Sequence, residues 1–246
     1  MKKTLLSVLF PALLLLTVGS VSAQGKWKYE LSLGGSLNSG NINNIGFKTD
    51  AAVNRNDSVL AFDGNLHYVY TEENHVATNN GLSGGIKFDV YQYDRWSPFF
   101  ASEFITNHFK GYDLKVSILA GLKYRIFTIP GRCDYSVSAA FVGENVNYYV
   151  ENPLADTLDG YVARISLRGK IKQRIGDHIT LNHTTFYQPS VTDFSDYMVT
   201  SITKIEDKLS THLFLDFIFT YEYRSVVPES RSRADYSTNV AIRLKF

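Results

Sequence analysis

The chain has 246 residues, with 25 Lys and Arg against 24 Asp and Glu, a formal charge of +1. That balance gives no ground for a nucleic-acid partner, and a single cysteine, Cys133, excludes an internal disulfide framework. The length suits one large domain or two small ones.

The chain begins with Lys2 and Lys3, an apolar run from Leu5 to about Val18, and small residues closing on Val21-Ser22-Ala23. This is the charged, apolar and small-residue layout of a secretory signal, so residues 1–23 are assigned as a Sec-type signal peptide and 24–246 as the exported domain. The apolar run is short for a membrane anchor. No cysteine follows the cleavage-like site, which disfavours a lipoprotein. Without Lys2 and Lys3 the formal charge falls from +1 to about −1. No later segment is apolar for long enough to span a bilayer as a helix, so entry into a membrane requires a closed barrel.

Beyond residue 24 the sequence reads as strands. Trp27, Tyr29, Leu31 and Leu33 alternate with Lys28, Glu30 and Ser32; Phe47, Ala51 and Val53 with Lys48, Asp50 and Asn54. The same period of two carries Phe62, Leu66 and Tyr68 against Asp63, Asn65 and His67, then Leu82, Ile86 and Phe88 against Ser83, Lys87 and Asp89. Val116, Ile118, Leu122 and Tyr124 oppose Lys115, Ser117, Lys123 and Arg125. Ile165, Leu167 and Ile171 oppose Arg164, Arg168, Lys170 and Lys172, and Leu215, Phe217 and Phe219 oppose Asp216, Glu222 and Arg224. The alternation is less clean at 96–106, 135–148, 179–187 and 197–205 but still fits a strand better than a helix.

Tight turns at "NRNDS", "YQYDR", "IPGRC", "RIGDH" and "EDKLS" alternate with longer links at "NSGNINN", "TEENHVATNN", "HFKGYD", "VENPLADTLDG", "QPSVTDFSD" and "VVPESRSRAD". The expectation is all-β: a transmembrane antiparallel up-and-down β-barrel of about twelve strands, with short turns at one end and longer loops at the other. The final "YSTNVAIRLKF" puts Tyr236, Val240, Ile242, Leu244 and Phe246 on one face, as a last strand should when it must pair with the first. These five residues form the expected assembly signal for the barrel-assembly machinery. Tyrosine pairs 68/70, 91/93, 148/149 and 221/223 are expected in aromatic girdles at the membrane interfaces.

"LSLGGSLNSGNINNIGFKTDAAVNR", "GYDLKVSILAGLKYRIF" and the block from "FYQPSVTDFSDY" to the end, with Gly40-Asn41, Pro189, Asp196-Tyr197 and Asp235, resemble the YdiY-like salt-induced outer-membrane protein family, domain of unknown function 481. Lys115 stands where arginine is expected in many members. The resemblance implies a bacterial outer-membrane barrel and supplies no activity.

The polar faces suggest a lumen lined by Lys115, Lys123, Arg125, Arg164, Arg168, Lys170, Asp216 and Glu222. It is read as a narrow channel with mild anion preference, or as a plugged barrel in which the charges pair and the protein is structural. The alternative is a lipid-modifying, phospholipase-like enzyme at the lipid-facing surface, for which "LNHTTF" offers His183 and Thr185 on one face without an evident orienting partner. The chain is expected not to be an enzyme and to need no cofactor or metal. Expected partners are outer-membrane lipid and lipopolysaccharide, with the assembly machinery and periplasmic chaperones during biogenesis. Oligomeric state and permeating solute are not legible.

Overall fold

The computed structural model describes residues 27–39, 44–73, 76–148, 160–227 and 232–246. The proposed signal segment lies outside the described residues, as do the link tips 40–43, 74–75, 149–159 and 228–231, including Gly40-Asn41 and Tyr149. The strands are β1 (Trp27–Ser39), β2 (Asn44–Arg55), β3 (Leu60–Glu73), β4 (Val76–Val90), β5 (Trp96–Asn107), β6 (Tyr112–Ile129), β7 (Cys133–Tyr148), β8 (Gly160–Ile175), β9 (Ile179–Pro189), β10 (Tyr197–Lys208), β11 (Leu213–Arg224) and β12 (Ala234–Lys245). Each pairs antiparallel with its neighbours in sequence, and β12 pairs with β1, closing the barrel.

The four segments with blurred alternation are β5, β7, β9 and β10, and the blur has a physical cause. β5 and β7 turn apolar Phe99, Ile105, Val142 and Val146 inward, whereas β9 and β10 turn polar His183, Thr185, Ser201 and Thr203 outward. Two links are shorter than expected. "TEENHVATNN" is mostly strand, because β3 continues to Glu73 and β4 resumes at Val76. "HFKGYD" is a 3₁₀ turn at His108–Lys110, where the Asn107 side chain accepts from the Lys110 N–H and Gly111 takes φ +85° to start β6.

The outward wall is apolar at mid-height, with Leu33, Leu66, Ile86, Phe100, Ile118, Phe141, Leu167, Phe217 and Val240 all exposed. So much exposed hydrocarbon around a closed wall suits lipid and not water. Aromatic pairs ring both ends. Trp27–Phe62, Phe62–Phe88 and Trp96–Tyr124, with centroids 5.9, 5.2 and 4.5 Å apart, mark the short-turn end. Phe47–Tyr68, Tyr187–Tyr197, Tyr197–Tyr223 and Tyr221–Tyr236, at 6.1, 5.6, 5.8 and 5.1 Å, mark the long-loop end. Tyr148 departs from the expected girdle. It shares the parity of inward Glu144 and Val146, so its ring meets Tyr112 inside the barrel at 5.5 Å.

Closure at the β1–β12 seam runs from Glu30 opposite Lys245 to Ser39 opposite Tyr236. Phe246 extends it: its N–H donates to the Tyr29 carbonyl at 2.9 Å, and the Tyr29 N–H donates back at 3.1 Å. Tyr236, Val240, Ile242, Leu244 and Phe246 are all exposed on the outward face. Gly34 is required at this seam, since a Cβ there would lie 2.4 Å from the Val240 carbonyl oxygen and 2.6 Å from the Ala241 Cβ.

Candidate functional site

Residues opposite one another in an antiparallel ladder point to the same face. Register therefore fixes the inner wall once one inward residue is known. Ser32, Asp50, His67, Ser83, Ile105 and Lys115 follow from strand to strand as part of one inward row. All eight candidate lumen residues lie on this inner face, but their surroundings differ.

Toward the long-loop end, Lys115 Nζ lies 2.7 Å from Glu144 Oε1, and Arg164 Nε lies 3.4 Å from Glu144 Oε2. Arg164 also reaches Asp196, with Nη2 2.8 Å from Oδ2, and its Nη1 donates to the carbonyls of Gln188 and Asp196 at 3.3 and 3.2 Å. Because Asp196 belongs to the β9–β10 loop, Arg164 pins that loop to the wall. The Val191 N–H reinforces this by donating to the Ala163 carbonyl at 2.9 Å. Glu222 pairs with Lys110 at 3.2 Å, and Arg224 donates to the Tyr112 hydroxyl.

Toward the short-turn end, Asp216 accepts from Arg243 Nε at 2.7 Å and from Lys204 Nζ at 2.8 Å. Arg243 also bonds Glu30 at 2.9 Å and Glu206, while Lys245 reaches Glu30 at 2.6 Å. One buried guanidinium thus links β1, β10, β11 and β12 from within. Lys123 lies 3.5 Å from Asp89, which also pairs with Lys87. Arg125 is not a bare pore-lining charge: it donates to the Gln92 carbonyl at 2.6 Å and to the Tyr93 carbonyl, clamping the β4–β5 turn. Arg168 and Lys170 make no ion pair among the described residues; the Arg168 guanidinium lies 5.8 Å from the Phe99 ring centroid.

Most inward charges therefore neutralise one another locally. Desolvation offsets much of the attraction in such buried pairs, so their main effect is to fix side-chain positions. They do not fill the barrel. A cavity of about 610 Å³ occupies its long-loop half, with Lys48, Glu103, Lys115, Glu144, Gln188 and Glu222 in its lining.

Sequence reasoning missed the Arg243 hub. Arg243 was visible as an inward residue of the last strand, but its partners Asp216, Glu206 and Glu30 lie on three different strands, 27, 37 and 213 residues away. Also missed was the partner of His183. His183 Nδ1 lies 2.9 Å from Thr203 Oγ1, and Nε2 lies 3.0 Å from Thr185 Oγ1. This chain lies on the outward face in the middle of β9 and β10, opposite Ile171 and Phe219. The hydroxyls occupy both ring nitrogens where solvent cannot, which accounts for the cluster without chemistry. Among the described residues, no group of three His, Cys, Asp or Glu is placed to hold a metal ion.

A family model described as "Protein of unknown function, DUF481" matches residues 31–246, nearly the whole described barrel. The chain belongs to the DUF481 family. Among curated proteins none matches it. Solved structures share the fold of this DUF481 chain at low identity. The NanC porin matches with a TM-score of 0.61 and 11% identity, covering 88% of this chain and 100% of that one. The translocator domain of the autotransporter NalP from Neisseria meningitidis gives 0.54 and 10%, covering 100% and 97%. The KdgM porin gives 0.51 and 10%, covering 88% and 99%. The DUF481 chain thus has the fold of outer-membrane barrels, with a polar interior and an apolar outward wall.

Proposed function

We propose that this DUF481 barrel is a narrow outer-membrane channel for small polar solutes, with residues 1–23 directing Sec-dependent export. The observation that carries this reading is the cavity of about 610 Å³ inside a wall whose charged residues face inward, Lys48, Glu103, Lys115, Glu144 and Glu222 among those lining it. In a purely structural plug, those side chains would close the interior. Instead they pair along the wall and leave space at its centre. The short turns and both strand ends of the seam are assigned to the periplasmic side and the longer links to the outside, as in outer-membrane barrels generally. The outward strand ending on Phe246 is the segment offered to the assembly machinery, and the aromatic rings meet the lipid and lipopolysaccharide interfaces.

Liposome swelling tests the reading. Vesicles containing refolded protein are expected to swell in isotonic glycine or arabinose at least fivefold faster than protein-free vesicles, and hardly faster in raffinose. Swelling no faster than the protein-free control, with the barrel folded by its gel mobility, would leave the structural reading in its place.

A further inference from the structure

Three successive inward positions on β8 carry Arg168, Lys170 and Lys172, and none has an ion pair among the described residues. Their surroundings set them apart from the other lumen charges. Lys115, Arg164, Lys123, Lys204 and Arg243 each have a carboxylate within 4 Å. By contrast, Arg168 stands between Ser138 and Phe186 in register, and Lys170 between Ser136 and Thr184. Lys172 stands between Asp134 and Asn182, but the Asp134 carboxylate is engaged by Arg125 at 3.5 Å and Thr128 at 3.1 Å.

Two further inward carboxylates act on this row electrostatically, Asp89 on Arg168 and Asp63 on Lys170, but neither lies within ion-pair distance of it, and Asp89 already pairs with Lys87 and Lys123. Glu30, Glu206 and Asp216 are matched by Arg243, Lys204 and Lys245, and Glu144 and Asp196 by Lys115 and Arg164. Lys170 and Lys172 are exposed although they face the interior, so water reaches them there. Arg168 Nε is buried and has no hydrogen-bond partner. Its guanidinium is held over Phe99, whose ring occupies the space left by Gly121: a Cβ at that glycine would lie 2.7 Å from Phe99 Cζ.

We propose that Arg168, Lys170 and Lys172 form a binding track for a linear oligo-anion, a chain carrying several phosphate or carboxylate groups. The inference rests on the reading of the lumen as a water-filled solute path. Alternate residues on a strand are about 6.6 Å apart, so the three cations span about 13 Å. A single small anion engages one or two of them; an extended anion engages all three. Arg168 supplies a planar fork suited to an oxyanion, and the lysines supply mobile point charges.

Titration calorimetry on the folded barrel in zwitterionic detergent at low salt tests the track without requiring conduction. Sodium tripolyphosphate is expected to bind at least tenfold more tightly than orthophosphate. Triglutamate, compared in the same way, separates phosphate from carboxylate chains: binding by either supports the track, and the stronger of the two names the class. The variant R168Q/K170Q/K172Q is expected to lose at least tenfold in affinity, while Lys208→Gln, which removes one exposed positive charge at the end of β10 outside the cavity lining, changes it less than twofold. Should the triple variant misfold, Lys170→Gln alone is expected to weaken binding about threefold or more and to lower the salt dependence by about one charge. Equal affinity for orthophosphate and both chain anions overturns the proposal, as does unchanged tripolyphosphate binding in a folded variant. Binding by a barrel that admits no solute overturns the channel reading alone; a permeable barrel that binds neither chain anion overturns the track alone.

Discussion

Arg243→Met is expected to destabilise the barrel by about 3 kcal/mol, the lower end of the range for removing one partner from a buried ion pair. Asp216 is buried, and losing the guanidinium removes its contact at 2.7 Å along with those to Glu30 and Glu206. Lys204 at 2.8 Å from Asp216 and Lys245 at 2.6 Å from Glu30 limit the damage, which is why the lower figure is expected. The position adds to the effect. Arg243 belongs to the closing strand, and its contacts reach β1 and two strands beyond β12, so its loss weakens the seam as a unit. Urea unfolding in lipid vesicles, followed by tryptophan fluorescence, measures the change. Replacing Asp216 with Asn in the same chain should recover part of the loss, because the carboxylate it removes is buried and has lost one of its two cations, Lys204 being the other. A midpoint unchanged in Arg243→Met would show that the network stabilises nothing.

The outward wall is expected to reject charge as strongly as the inner wall accepts it. Val240→Arg, near mid-height on β12, should cost about 2–4 kcal/mol, the range for a basic residue facing lipid at the midplane. Leu167→Arg on β8 should behave alike, whereas Lys170→Gln on the same strand should leave folding unchanged because its side chain faces water. Replacing Val240, Ile242 and Leu244 together with aspartate should abolish insertion. Deleting Phe246 should slow assembly, since it removes both hydrogen bonds to Tyr29 and the terminal outward ring. Heat-modifiable gel mobility after refolding reads all of these. Normal folding of the triple aspartate variant would mean that this face does not meet lipid.

Particular residues show how much of this was legible in advance. The alternation on β1 to β4, β6, β8, β11 and β12 fixed their inward and outward faces, because a polar lumen and a lipid-facing wall demand opposite chemistries at successive positions. The strand count and up-and-down order followed from the turns between them. Where the inner wall uses Val142, or the outer wall uses His183 and Thr203, polarity and direction part company, and periodicity weakens.

The site was legible in its faces and not in its pairings. That Arg164 and Arg168 share a side is a statement about one strand. That Arg164 is neutralised by Glu144 and Asp196 while Arg168 is not depends on neighbouring strands and on a loop folding back. Of the four cations read on one face of β8, Arg164 is therefore paired, while Arg168, Lys170 and Lys172 have no ion pair among the described residues. Arg125 moves out of the path for a comparable reason: carbonyl acceptors in the 91–95 turn lie within its reach, and no sequence pattern marks a carbonyl as available.

Single-channel recording in planar bilayers under a potassium chloride gradient tests the central claim most directly. Discrete conductance steps and a reversal potential displaced in the anion-selective direction are expected, because Arg168, Lys170 and Lys172 face the lumen together on one strand with no ion pair among the described residues. A correctly folded barrel that gives no steps at all would contradict it.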